Sequence, residues 1–285
     1  MKSLDFNPIM QVNDDSLNIQ LVGHWAEEKY KLVGLYSNIF TKSMRNTWEN
    51  LVYIDLFSGS GYSKIRNSKR IIKSSPLISL SLPFNFSKYI FCEEDLEKAN
   101  SLNERIKRSY VGIDYELIVG DTNKNIDLII SKIPQYSKSS KVLTFCFVDI
   151  YSLKNLHFQT VKKLSKFALD FLILLPLGMD ARRNFNYYLD KKIKIVDLYL
   201  SDTLWREKFL NKYRPTNHSF IQFISEEYKK KLLSLGYLEP ERYHEIRSTD
   251  RNLPLYHLAF FSKHKLANTF WNSVSKYSTD ELSFL

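Results

Sequence analysis

The chain has 285 residues, 44% of them apolar and 25% charged, enough to bury a sizeable core as one large domain, 1–285. No apolar run approaches the ~20 residues of a membrane span, and Met1-Lys-Ser-Leu-Asp-Phe-Asn7 lacks a signal-peptide apolar core, so the expectation is a cytoplasmic, soluble protein with no membrane partner. Lys and Arg number 41 against 31 Asp and Glu; the resulting +10 suits a polyanionic partner, nucleic acid above all, or a lysine-rich solvated surface.

Residues 24–42 carry apolar side chains (Trp25, Leu32, Val33, Tyr36, Ile39, Phe40) at helical spacing, so the segment 1–48 reads as helical. Leu51-Val-Tyr-Ile-Asp-Leu-Phe57 follows as a buried strand running into Ser58-Gly-Ser-Gly61. Residues 62–75 are basic and aperiodic and read as a loop; Ser75-Pro76 opens a short helix, where proline suits the first turn. Lys88–Asp95 predicts a second strand, 95–109 a helix, Tyr115–Asp121 a third strand, and a further helix runs to Ile133. Lys141–Tyr151 is nearly all apolar and reads as a central fourth strand; a helix at 156–167 leads to a fifth at Asp170–Pro176. Strands alternating with helices imply a doubly wound parallel α/β sheet. Residues 184–236 are helical and aromatic-rich, with Glu226–Leu235 stopped by Gly236, and read as an inserted cap over the crevice. Arg242–Arg247 and Leu255–Phe261, joined by a hairpin loop at Thr249–Asn252, complete seven strands, the last antiparallel; a helix around Trp271 closes the chain.

The chemistry-bearing residues stand at strand ends, which in such a sheet face one crevice. The Gly59/Gly61 turn lets backbone approach a ligand closely, with Phe57, Ser58 and Ser60 as its neighbours. Asp55 can reach an ammonium group, Glu93 or Glu94 can accept from two ribose hydroxyls, and Asp121 beside Thr122 can take an adenine amino group. The ordered set fits S-adenosylmethionine. A dinucleotide fingerprint starting at Gly59 needs glycine at position 64, where Lys64 stands, and no Gly-Lys-Ser/Thr phosphate loop is present. At the fourth strand's end, Asp149 and Tyr151 resemble the Asp/Asn-Pro-Pro-aromatic turn of nucleic-acid amino-methyltransferases, a resemblance that implies accepting from an acceptor amine and stacking on a flipped base. After the fifth, Arg182 and Arg183, with Asp180, can bind phosphate or close the pocket, or form a surface ion pair. Cys92 and Cys146 lie inside strand-like runs and read as small buried hydrophobes; the six histidines show no paired spacing, so no metal site is expected.

The chain resembles the three-Cys-motif partner (TcmP) proteins, a bacterial and phage family with a class I, Rossmann-like, S-adenosylmethionine-dependent methyltransferase fold. The matching pieces are Lys29 within Trp25–Tyr36, Tyr53–Gly61, Ser75-Pro-Leu77, Gly120-Asp121, Phe147–Tyr151, Gly178–Asn184, Trp205-Arg206, Leu235-Gly-Tyr237 and Tyr256–His264 with Trp271. The resemblance implies a partner protein of the radical-enzyme type bearing three cysteines and a role in phage–host conflict or antiviral defence. It also implies a pocket role for Lys29, beside Arg182 and Arg183, toward the substrate. This chain departs from the pattern at the fourth strand, where Asp149-Ile-Tyr-Ser152 replaces the expected Asp-Pro-Tyr-Gly; Ile150 keeps the backbone carbonyl but not proline's fixed φ. Two functions follow: a methyltransferase for an exocyclic amine of DNA or RNA, or a catalytically silent adenosylmethionine- or nucleotide-binding partner subunit. A cytosine-C5 mechanism is disfavoured, since Cys146 lies within the strand rather than after it.

Overall fold

The computed structural model describes residues 6–238, 243–248 and 252–280. Its elements in chain order are β1 Gln11–Val12, β2 Gln20–Val22, α1 Trp25–Met44, β3 Asn50–Asp55, β4 Tyr62–Ile65, β5 Ile71–Lys73, α2 Ser75–Ser79, β6 Lys88–Glu93, α3 Leu96–Ser109 and β7 Tyr115–Val119. There follow α4 Ile126–Ser131, β8 Val142–Val148, α5 Phe158–Leu164, β9 Leu169–Leu175, α6 Phe185–Leu189, α7 Ile195–Leu200, α8 Trp205–Lys212, α9 Asn217–Ser234, β10 His244–Arg247, β11 Pro254–Phe261 and α10 Lys265–Asp280.

Seven strands form the main sheet in the order β10-β11-β9-β8-β3-β6-β7. The pairs from β9 through β7 are parallel, while β11 runs antiparallel to both β9 and β10. This is the doubly wound sheet with one antiparallel strand that the alternation of elements predicts. Thr249, Asp250 and Arg251 of the expected hairpin loop, and Arg242, lie outside the described residues. Winding reverses between β3 and β8, which pair through Ile54↔Cys146 and Asp55↔Phe147. At such a switch point the loops diverge and leave a crevice beyond the carboxyl ends of the strands.

Side-chain alternation divides the core between the two faces. Tyr53, Tyr89, Phe91, Phe145, Phe147 and Phe260 turn one way and pack with α1, α2, α3 and α10. Ile54, Cys92, Cys146, Val148 and Phe261 turn the other way, onto α4, α5 and the helices after β9. Both cysteines are free and buried.

Two expectations need correction. Residues 62–75 are not a loop: β4 and β5 form an antiparallel hairpin that β1 and β2 extend to a four-stranded sheet, ordered β1-β5-β4-β2. The segment 1–48 is therefore helical only from Trp25 onward. Ile65 and Ile72 seat the small sheet against Ala26, Tyr30 and Ile78, an apolar patch too short to show as periodicity. Within 184–236 several large rings face the core. Trp205, Phe209, Phe220, Phe223 and Tyr228 bury their rings in the core on the α5 side of the sheet. Each of these rings removes a large apolar area from water there, so these five serve packing. No helix among the described residues is long and apolar enough to cross a membrane.

Candidate functional site

A cavity of about 520 Å³ opens at the switch point, within the size range of small-molecule sites. Its floor is the loop after β3 (Phe57, Ser58) with Glu93 and Glu94 beyond β6 and Asp149–Tyr151 beyond β8. The opposite wall comes from the N-terminal segment, through Gln20–Gly23 and Lys29. A smaller cavity of about 220 Å³, lined by Gly120, Asp121 and Thr122, shares Phe57, Glu94, Tyr151 and Asn155 with it. The two form one trough along the ends of β3, β6, β7 and β8.

The turn after β3 is built from within. Asp55 is fully buried beneath it rather than on the cavity wall, and accepts from the Phe57 N–H and the Tyr53 hydroxyl at 3.3 Å each. Burial pushes its carboxyl up to about 7; the Ser75 hydroxyl pulls the other way and the Asp149 charge adds to the rise. Gly59 has φ +65° and Gly61 φ +89°, the left-handed region. A Cβ on Gly61 would stand 2.9 Å from Leu77 Cδ1 and 3.0 Å from Leu102 Cδ1, so this glycine serves packing of the loop on α2 and α3. A Cβ on Gly59 would meet Gln20 Oε1 at 2.9 Å, so this glycine is the one that faces the wall opposite. Ser58 and Ser60 are buried, bonded to the Cys92 and Tyr62 carbonyls. The Arg105 guanidinium, paired with Asp15, also donates to the carbonyls of Asn18 and Ser60, lashing the N-terminal segment to the turn.

The strand-end acids divide by role. Glu93 takes the Gly59 N–H at 2.7 Å on one oxygen and the Asp95 N–H at 3.0 Å on the other. A carboxylate oxygen has two lone pairs, so each keeps one free toward the trough. Glu94 is exposed on the floor. Asp121 caps its own turn by accepting the Lys124 N–H at 2.9 Å, and Thr122 Oγ1 donates to the Leu56 carbonyl at 2.6 Å, tying the β7 end to the β3 loop.

Lys29 lines the cavity and places Nζ 2.5 Å from Asp149 Oδ2. Burial works against its charge, but the Asp149 carboxylate more than offsets this and holds the Lys29 pKa above its ordinary value. Tyr256, from β11, lines the same cavity. Tyr151 is 65% exposed, whereas Ile150 is fully buried. The isoleucine therefore anchors the turn by its side chain where proline would stiffen it through φ.

Asp180 supplies the rest of that rigidity. Its Oδ2 accepts from the Leu153 N–H (2.8 Å), the Tyr188 hydroxyl (2.7 Å) and the Ser152 hydroxyl (3.2 Å), and its Oδ1 from Asn184 Nδ2 (2.7 Å). This carboxylate is neither a phosphate ligand nor a surface ion-pair partner, as the sequence suggests; it holds the segment after Asp149 in place. A buried polar network of this kind shows in sequence only as one Asp after a strand. Arg182 and Arg183 are both exposed; neither lines the central cavity, and Arg183 lines an adjoining one that shares Tyr151 and Tyr256. Among the described residues no group of three or more His, Cys, Asp or Glu side chains is placed to hold a metal ion.

No protein-family profile matches the chain, and no curated protein matches it. Solved structures similar to it include M. jannaschii TYW2 in complex with AdoMet, at 12% identity and TM-score 0.40 over 91% of this chain and 88% of that one. Another is the O-methyltransferase TomG from Streptomyces achromogenes in complex with SAM, at 10% and 0.41 over 81% and 78%. A third is Trm5b from Pyrococcus abyssi, at 13% and 0.39 over 79% of this chain; the match spans 49% of that protein's length.

Proposed function

We propose that this chain is an S-adenosylmethionine-dependent methyltransferase acting on an exocyclic amine of nucleic acid. The observation that carries the reading is the trough itself: Glu93, Glu94, Asp121 and Asp149 end successive parallel strands and flank one cavity beside a left-handed glycine turn. The residues fit the cofactor. Glu93, fixed by two backbone donors, keeps lone pairs for a ribose diol, and Asp121 keeps one oxygen for an amino group. Phe57, shared by both cavities, offers an apolar surface between them. When bound, adenosylmethionine supplies an electrophilic methyl group. Asp149 accepts a hydrogen bond from the acceptor amine through Oδ1, while Lys29 fixes Oδ2 and thereby the plane of the carboxylate. The contribution is positioning: the amine nitrogen is held with its lone pair toward the methyl donor.

Calorimetry with adenosylmethionine, followed by transfer assays on DNA and RNA, tests this. Binding with methylation that is lost in Asp149→Ala supports it; no binding at millimolar ligand removes it.

One observation favours a second reading, that of a cofactor-binding partner subunit without turnover that serves a three-Cys-motif protein in defence. Lys29 already occupies one oxygen of Asp149, so the carboxylate is half satisfied before any acceptor arrives. Cofactor binding without a product on DNA, RNA or protein would select this reading.

A further inference from the structure

Tyr151 also lines a second large concavity, of about 510 Å³. It shares Tyr151 and Tyr256 with the central cavity, so the two adjoin. Tyr151 is 65% exposed and Tyr187 53% exposed, and both rings line it. Single exposed aromatics are ordinary on a protein surface, but two from separate segments sharing one hollow are not scattered decoration. Tyr187 is not free to collapse: its ring packs 5.8 Å from that of Tyr188, whose hydroxyl is bonded to Asp180.

The exposed charges in this hollow are positive. Lys154 and Arg183 line it, both are exposed, and neither forms an ion pair among the described residues. Asp180 is the one carboxylate among its lining residues; it is buried and already accepts from four donors. Aromatic faces flanked by unpaired cations suit a base with its phosphate. A duplex hides its base faces in its own stack and must pay to flip one out, whereas an unpaired nucleotide reaches the tyrosines without that cost.

We infer that this concavity takes an unpaired nucleotide of a single-stranded acceptor, its base against Tyr151 and Tyr187 and its phosphate on Lys154 and Arg183. The inference rests on reading the central cavity as the transfer site, and it specifies the acceptor as single-stranded DNA or RNA rather than duplex.

Fluorescence anisotropy with short labelled oligonucleotides of one sequence, as single-stranded DNA, single-stranded RNA and duplex, tests it on the full chain without cofactor. Single strands should bind at least tenfold more tightly than duplex, and whichever of DNA or RNA binds better names the acceptor polymer. Tyr187→Ala should weaken binding about tenfold and Tyr187→Phe should retain it, as expected for loss of one stacked base. Arg183→Ala should lower the slope of log affinity against log salt by about one. Equal binding of duplex, no binding of single strands, or wild-type affinity in a Tyr187→Ala variant with an unchanged thermal melt would each overturn the inference. Adenosylmethionine calorimetry on the same preparations separates the two ideas. Cofactor binding without Tyr187-dependent oligonucleotide binding sinks the nucleotide site alone, whereas the converse sinks the transfer reading.

Discussion

Lys29 and Asp149 stand 120 positions apart in the chain, yet Nζ and Oδ2 meet at 2.5 Å in the lining of the cavity. One belongs to the first long helix and the other to the end of a central strand, so the pair joins the N-terminal segment to the main sheet. Their side chains are 10% and 16% exposed, and removing one partner strands a largely desolvated charge.

The first prediction concerns that pair. Lys29→Met should destabilise the protein by about 2–4 kcal/mol, with part of the loss recovered in the double variant Lys29→Met/Asp149→Asn. Urea unfolding of the four members of the cycle gives the coupling energy. A coupling near zero would mean that the two groups are solvated independently and that Lys29 does not orient Asp149.

Asp180 offers a sharper contrast between two substitutions. Asp180→Ala leaves the Leu153 N–H and the Tyr188 hydroxyl without their acceptor and should lose about 3 kcal/mol. Asp180→Asn can keep an oxygen at the Oδ2 position and turn its amide toward Asn184, whose own amide can flip to match, so its loss should be about 1 kcal/mol. If both variants unfold at the same denaturant concentration, the hydrogen-bond assignment is wrong. In transfer assays, Asp180→Ala should lower turnover more than cofactor affinity, because it loosens the Asp149–Ser152 turn and leaves Glu93 untouched.

Asp55 makes stability depend on pH. Its folded pKa, about 7, lies above its ordinary value of 3.8 because burial disfavours the charged form. The native state therefore holds a proton that the unfolded chain releases. This contribution is full below about pH 4 and is lost as pH rises through 7. Asp170, pushed up to about 6 by burial, acts in the same direction. Wild type should thus lose stability between pH 5 and pH 8, and Asp55→Asn should lose measurably less over that interval. Parallel curves for the two proteins would show that Asp55 titrates normally.

What sequence could reveal differed by element, for physical reasons. The strands β3, β8 and β9 are buried on both faces, so apolar runs disclosed them, and the acids at their ends came with them. The small sheet was hidden because β1 and β2 have two and three residues and owe their conformation to pairing with β5 and β4. Their partners lie in a basic stretch whose inward residues, Ser63, Ile65 and Ile72, are too few to set a period. The aromatic helices after β9 were legible as helices, but a buried ring looks the same in sequence whether it faces a ligand or the back of a sheet. Asp55 shows the same limit at the site. Its position before the glycine turn marked it as important, while its burial beneath the turn brings it to neighbours distant in sequence, such as Ser75 and Asp149.

The wall formed by Gln20–Gly23 and Lys29 has a bearing on how the molecule is divided. A fragment starting at Asn50 would keep every strand of the seven-stranded sheet and every strand-end acid named above. It would nevertheless present an open shelf instead of an enclosed cavity, with Asp149 bare and Gly59 facing water. Enclosure is thus a property of the preamble to the sheet, fastened across it by Arg105 through Asp15 and Ser60. Two relatives could share the whole sheet and differ in ligand through those opening residues alone.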